Sequence, residues 1–187
     1  FAARIKEGVP RMTEQAGNRL ADADKMELLN RVEEKARAYM HKYSGCGQCV
    51  LLALQEEFGL PGGRVVLKAA CFTNLGIALT QNICGALLGC IMAMGLACGR
   101  EDLSDTIYPE PQVVDETYGL PRSLMLIRSF YQRFIQEFGS SSCRELQIRI
   151  FGRSFDTVIL EEEEKFRLAG GHTACVPLVG KAARLAA

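Results

Sequence analysis

Ile83-Cys84-Gly85-Ala86-Leu87-Leu88-Gly89-Cys90-Ile91-Met92-Ala93-Met94-Gly95-Leu96-Ala97-Cys98 is the most apolar stretch of this 187-residue chain. How it is read decides the fold. Gln81 and Asn82 stop the run on one side, Arg100 and Glu101 on the other. A bilayer needs about 20 consecutive apolar residues, so this run is short for a span. It reads as a buried core helix over 84–98, closed by Gly99. Gly85 and Gly89 stand four apart and share one helix face. Each costs about 1 kcal/mol against Ala inside a helix. That face therefore needs a reason, which is the close approach of another backbone or of a bulky inorganic group.

Working outward, helical spacing is the rule. Met26, Leu29, Val32, Ala36, Tyr39 and Met40 recur at threes and fours and predict a helix over 22–43. Asp22 or Asp24 caps it and Ser44-Gly45 breaks it. A second helix is predicted over 46–58, with Val50, Leu51, Leu54 and Phe58 inward and Gly59 as its stop. A short one follows over 64–72, then a loop over 73–82. Residues 100–121 carry three prolines and six acidic groups and read as a surface excursion. Pro121 opens a helix to Phe138, with Leu124, Ile127, Phe130, Phe134 and Phe138 inside. Ser140-Ser141-Ser142 caps a helix over 143–151. An acidic helix over 161–168 reads as a solvated face, and a last helix starts near Cys175-Val176-Pro177. Only 148–155 and 157–160 tempt a strand reading. The class is all-α, a compact multi-helix bundle. Residues 1–21 form an arm and 22–187 a single domain.

Composition narrows the function. Hydrophobic residues are 48% and charged residues 24%, with 22 basic against 22 acidic side chains. That balance excludes disorder, collagen and coiled coil. No basic cluster is present, so no nucleic-acid partner is expected. Arg4, Lys6, Glu7, Arg11 and Glu14 interrupt any signal-peptide run in the first 20 residues. There is no G-x-S-x-G, Walker, G-x-G-x-x-G or H-E-x-x-H motif. Hydrolysis and nucleotide binding have no support.

The informative residues are the eight cysteines. Cys46, Cys84, Cys143 and Cys175 each follow a helix-start signal. A helix N-terminus offers spare N–H donors and partial positive charge, which lower a thiol pKa. Four such positions suggest that several helix starts converge on one point. Cys71, Cys90 and Cys98 lie in or at the end of apolar runs and read as small buried hydrophobes. Cys49 makes C-G-Q-C with Cys46, a redox pair or half of a zinc site, without the strand context of a thioredoxin motif.

These residues resemble a known family. Gly45 to Leu54 is similar to its first cysteine helix, with Cys46 on the family cysteine. Cys84 to Gly89 matches its central C-G-A-x-x-G. Cys143-Arg144-Glu145-Leu146 looks like its C-R-E-L segment, and Cys175-Val176-Pro177-Leu178-Val179 like its final cysteine helix. The chain thus resembles the redox-active proteins named after that pattern, the C_GCAxxG_C_C family, over about residues 30–187. It departs from them in having only Gly76 where the family has a glycine-rich run, and Gly45 where it has Asn. The family is common in anaerobes and is related to the iron–sulfur region of split-Soret cytochromes. No C-x-x-C-H occurs here, so their haem part does not carry over.

The resemblance implies an iron–sulfur cluster, [2Fe-2S] or [4Fe-4S], held by Cys46, Cys84, Cys143 and Cys175, with Gly85 and Gly89 letting it approach. Each of these cysteines lies more than thirty residues from the next. Structural zinc is built from closer pairs, so a zinc interaction module ranks lower. A thiol–disulfide oxidoreductase using Cys46 with Cys49 or Cys84 is the other alternative. His41 and His172, each near a cysteine, read as surface or supporting groups rather than ligands. The expected role is an electron carrier or redox subunit rather than a stand-alone enzyme. Its partner would be another redox protein, and a homodimer is compatible with this role. Clusters are built in a reducing cytoplasm, which is the expected compartment. Export of the folded holoprotein to the periplasm is the alternative.

Overall fold

A computed structural model of the chain describes residues 22–104 and 122–187. The arm over 1–21, the excursion beyond Ser104 and the opening role of Pro121 lie outside the described residues. The described chain is all-α. Its helices are α1 (Asp22–Tyr43), α2 (Cys46–Phe58), α3 (Gly63–Ala69), α4 (Gly85–Cys98), α5 (Arg122–Phe138), α6 (Cys143–Phe151), α7 (Leu160–Leu168), α8 (Gly171–Ala174) and α9 (Val176–Ala186). A turn of 3-10 helix covers Cys71–Thr73. Among the described residues the only bridge is an isolated one between Ile83 and Ser142. Both strand-tempting pieces fall elsewhere: α6 runs to Phe151, and 157–160 turns into α7.

The core is formed by α1, α2, α4 and α9, with α5 against α4 and α9. α1 turns Val32, Ala36 and Met40 inward, and α2 turns Val50, Leu51 and Leu54. α4 gives Ala86, Leu87, Cys90 and Met94, and α9 gives Val179, Ala182 and Ala183. Burial of these side chains, worth about 1.5–3 kcal/mol for each large one, holds the bundle together. The solvent side of the α1–α2 seam carries ion pairs. Lys35 Nζ lies 2.5 Å from Glu57, and Arg31 Nε lies 3.2 Å from the same carboxylate. No helix among the described residues is long and apolar enough to cross a membrane.

Four inward assignments are corrected. Phe58 is 41% exposed and Leu124 is 43% exposed. Phe58 is the last residue of α2, next to the left-handed Gly59 that turns the chain away. Leu124 is in the first turn of α5, whose buried contacts come later, from Phe130 and Phe134. Cys71 and Cys98 are exposed, one at the 3-10 turn and one at the end of α4. Cys90 is fully buried, and its thiol donates to the Ala182 carbonyl at 3.3 Å.

Candidate functional site

Two glycine contacts bring the starts of α2 and α4 together. A Cβ on Gly89 would stand 2.2 Å from the Gly47 carbonyl oxygen, and one on Gly85 would stand 2.4 Å from Cys46 Sγ. Cβ atoms cannot come so close, so glycine at 89 lets the two backbones meet and glycine at 85 makes room for the Cys46 sulfur. Gly85 lines the cavity described below. Gly89 does not: its face is taken up by Gly47, so its role in the structure is helix packing.

The start of α4 is also laced to the start of α6. Cys84 N–H donates to Ser141 O at 2.8 Å, Cys143 N–H to Asn82 O at 2.6 Å, and Arg144 N–H to Gln81 O at 3.0 Å. Ser142 caps α6, accepting from Glu145 N–H at 3.4 Å. Cys175 occupies the N-cap position of α9, and Pro177 sits in that helix's first turn. α8, which the sequence did not announce, delivers it. Gly171 at its start leaves no room for a Cβ against the Phe166 ring, 2.4 Å away.

The four cysteines thus stand at four helix starts and line one cavity of about 280 Å³. Its other walls are largely apolar, from Met40, Leu146, Phe166, Leu178 and Val179. Gln147 and His172 are its polar elements beside the turn residues. A single water takes about 10–15 Å³ by this measure. The space is that of a many-atom group. Among the described residues no three or more His, Cys, Asp or Glu side chains are set to hold one metal ion. The sulfurs surround a volume rather than a point.

All four thiols are pushed up, not down. Burial raises Cys46 and places Cys84 well above the usual thiol value. Burial, together with neighbouring thiols, takes Cys175 to about 12. Burial takes Cys143 to about 11 despite a bond from Gln147. The expected lowering at helix starts is therefore corrected, because desolvation of the thiolate outweighs the donors aimed at it. Those donors are present. Leu75, Gly47 and Ala86 N–H groups point at Cys46, and Leu87 and Ala86 N–H groups at Cys84. A neutral thiol is a weak acceptor. Sulfurs shielded by an apolar cavity, three of the four with N–H donors, suit thiolates whose charge is neutralised by bound metal. On donor set, space and second-layer bonding, the residues fit an iron–sulfur cluster.

The remaining candidates separate. His172 lines the cavity, with its ring edge-on to Phe166 and Nε2 4.0 Å from Glu163. His41 is exposed on α1 and does not line it. Cys49 is buried outside the cavity, its thiol donating to Ser44 O at 2.9 Å. Burial and then Cys46 take that thiol to about 12.

The segment between the 3-10 turn and α4, a loop by its sequence, has a regular backbone. Leu75, Gly76, Ile77, Ala78, Leu79 and Gln81 all have positive φ, between 47° and 76°. It is a left-handed strap that brings Leu75 N–H to Cys46. Leu79 lines the four-cysteine cavity on one side. On the other it borders an open cavity of about 490 Å³ reached by Arg144 and Arg153. Gln147 was also missed. Its one sequence signal is its place one helical turn after Cys143 on the same helix.

A protein-family model described as "Putative redox-active protein (C_GCAxxG_C_C)" matches residues 44–187. That range holds all four cavity cysteines. No curated protein and no solved structure matches the chain.

Proposed function

The chain belongs to the C_GCAxxG_C_C family of redox-active proteins, and from that premise we propose that it carries one iron–sulfur cluster used for electron transfer. The observation that supports this is the cavity itself. Cys46, Cys84, Cys143 and Cys175, from four separate parts of the chain, line one largely apolar chamber of about 280 Å³.

When bound, such a cluster would supply reversible electron uptake at a buried position. The chain's own residues would do the rest. The four sulfurs would bind it. Gly85 would keep the floor of the chamber open beside Cys46. The N–H groups of Leu75, Gly47, Ala86 and Leu87 would hold the first two sulfurs in their charged form. Met40, Leu146, Phe166 and Leu178 would limit water access, which tunes potential together with the hydrogen bonds. A second redox protein would be the electron partner, and a reducing cytoplasm the place of assembly.

The test is a visible spectrum of anaerobically purified protein, with iron, zinc and acid-labile sulfide measured on the same sample. Broad absorption that bleaches on reduction, with matching iron and sulfide, is expected. Cys143→Ser should remove most of that absorption with the far-UV circular dichroism unchanged. Cys49→Ser should keep it. An unchanged spectrum in the Cys143 variant would sink the assignment. A colourless protein that loses two thiols on mild oxidation would point instead to dithiol chemistry at Cys46. Stoichiometric zinc without redox change would point to a structural module.

A further inference from the structure

Gln147 is the one buried amide at the four-cysteine cavity, with only 2% of its surface exposed. A buried primary amide is costly unless its groups are paired. Here its orientation is set from behind. The Phe155 backbone N–H donates to Gln147 Oε1 at 3.0 Å. Phe155 is itself held, since Gln81 Nε2 donates to its carbonyl at 2.7 Å and its ring packs on Phe151 and Phe166. With the oxygen so engaged, the other end must present N–H. Gln147 Nε2 donates to Cys143 Sγ at 3.7 Å, across one turn of α6.

The four sulfurs are not alike in this respect. Cys46 and Cys84 take their donors from backbone, which a side-chain truncation leaves in place. Cys143 takes its donor from a side chain. Cys175 has none among the described residues. An N–H donor at sulfur favours the electron-rich state of whatever that sulfur ligates.

We infer that Gln147 is a positioning residue for Cys143. Anchored by the Phe155 N–H, its amide fixes that sulfur and raises the reduction potential of the group it ligates. This rests on the proposed cluster. It also identifies the side-chain hydrogen bond in that group's surroundings among the described residues.

The test uses the full chain, loaded anaerobically, and two variants. Gln147→Leu removes the donor. Gln147→Glu keeps the acceptor for Phe155 and removes the donor. The expected result is full iron and sulfide in both, with reduction disfavoured by about tenfold, which is about 59 mV for one electron. An unchanged potential in both loaded variants overturns the inference while leaving the cluster standing. A drop in Gln147→Glu alone is an effect of added charge and also overturns it.

If the unsubstituted protein takes up no iron or sulfide, the cluster reading fails separately. The contact is then judged by NMR on metal-free, reduced protein. Its Gln147 amide protons should exchange slowly and shift in Cys143→Ala. Freely exchanging amide protons, or no shift, would refute the contact itself.

Discussion

Replacing Ala78 by glycine should stabilise this protein, against the usual effect of glycine. Ala78 is exposed and sits in the left-handed strap with φ 48°. The left-handed helical conformation costs an L-residue roughly 1–2 kcal/mol. Glycine is free of that cost but adds about 0.4–1 kcal/mol of unfolded-state entropy. Taking the middle of each range leaves a net gain of about 0.8 kcal/mol. For a chain of this size that is a rise in Tm of about 2–3 °C. The side chain lost is one exposed methyl, so little burial offsets the gain. Ala38→Gly is the control. It is exposed in the middle of α1, where glycine should cost about 0.8–1 kcal/mol. The assay is thermal unfolding by far-UV circular dichroism under anaerobic conditions. Equal falls in Tm for both variants would refute the left-handed reading of the strap.

Two further expectations concern stability. On α4, Gly89→Ala places a Cβ against the Gly47 carbonyl and should cost about 1–3 kcal/mol. Gly95→Ala, on the same helix with nothing within 4 Å, should gain up to about 1 kcal/mol; melting curves that moved the same way would contradict this. The Glu57 carboxyl is held below its ordinary value of 4.5 by a hydrogen bond from Lys35, aided by Arg31. Its contribution is present above that value and is lost as pH falls through the lowered one. Glu57→Gln should therefore lower Tm at neutral pH and flatten its decline in acid. A decline as steep as in the unsubstituted protein would show that the pair does not matter.

What could be read from sequence was whatever local signals carry. The Ser44-Gly45 break, the Gln81-Asn82 pair, the Ser140-Ser141-Ser142 cluster and the Gly170-Gly171 pair mark helix starts by local chemistry alone, so the four cysteines could be placed on those starts in advance. Their meeting at one cavity could be suspected but not seen, because it depends on the α2–α4 approach through Gly47, Gly85 and Gly89. The thiol values were read with the wrong sign for a related reason. Donors at a helix start are visible in sequence, but the Met40, Phe166 and Leu178 walls that desolvate them are not. The strap was hidden because Leu75, Ile77, Leu79 and Gln81 are residues that avoid positive φ, and Gly76 alone gives little warning. α8 is four residues long and carries no periodicity to detect. Gln147 could have been noticed only by asking which residue lies one turn beyond a candidate ligand.

The pairing of α1 with α9 has a consequence for how the molecule is made. The first and last described helices face each other, and the last cavity cysteine, Cys175, arrives with the helix that closes the bundle. Contacts between such distant parts of a chain form late, because loop closure must be paid for before they reward it. A nascent chain that has emerged only as far as Leu168 has three of the four sulfurs, and α1 has α2 but not α9 to pack on. The fourth sulfur is therefore in place only once α9 has docked.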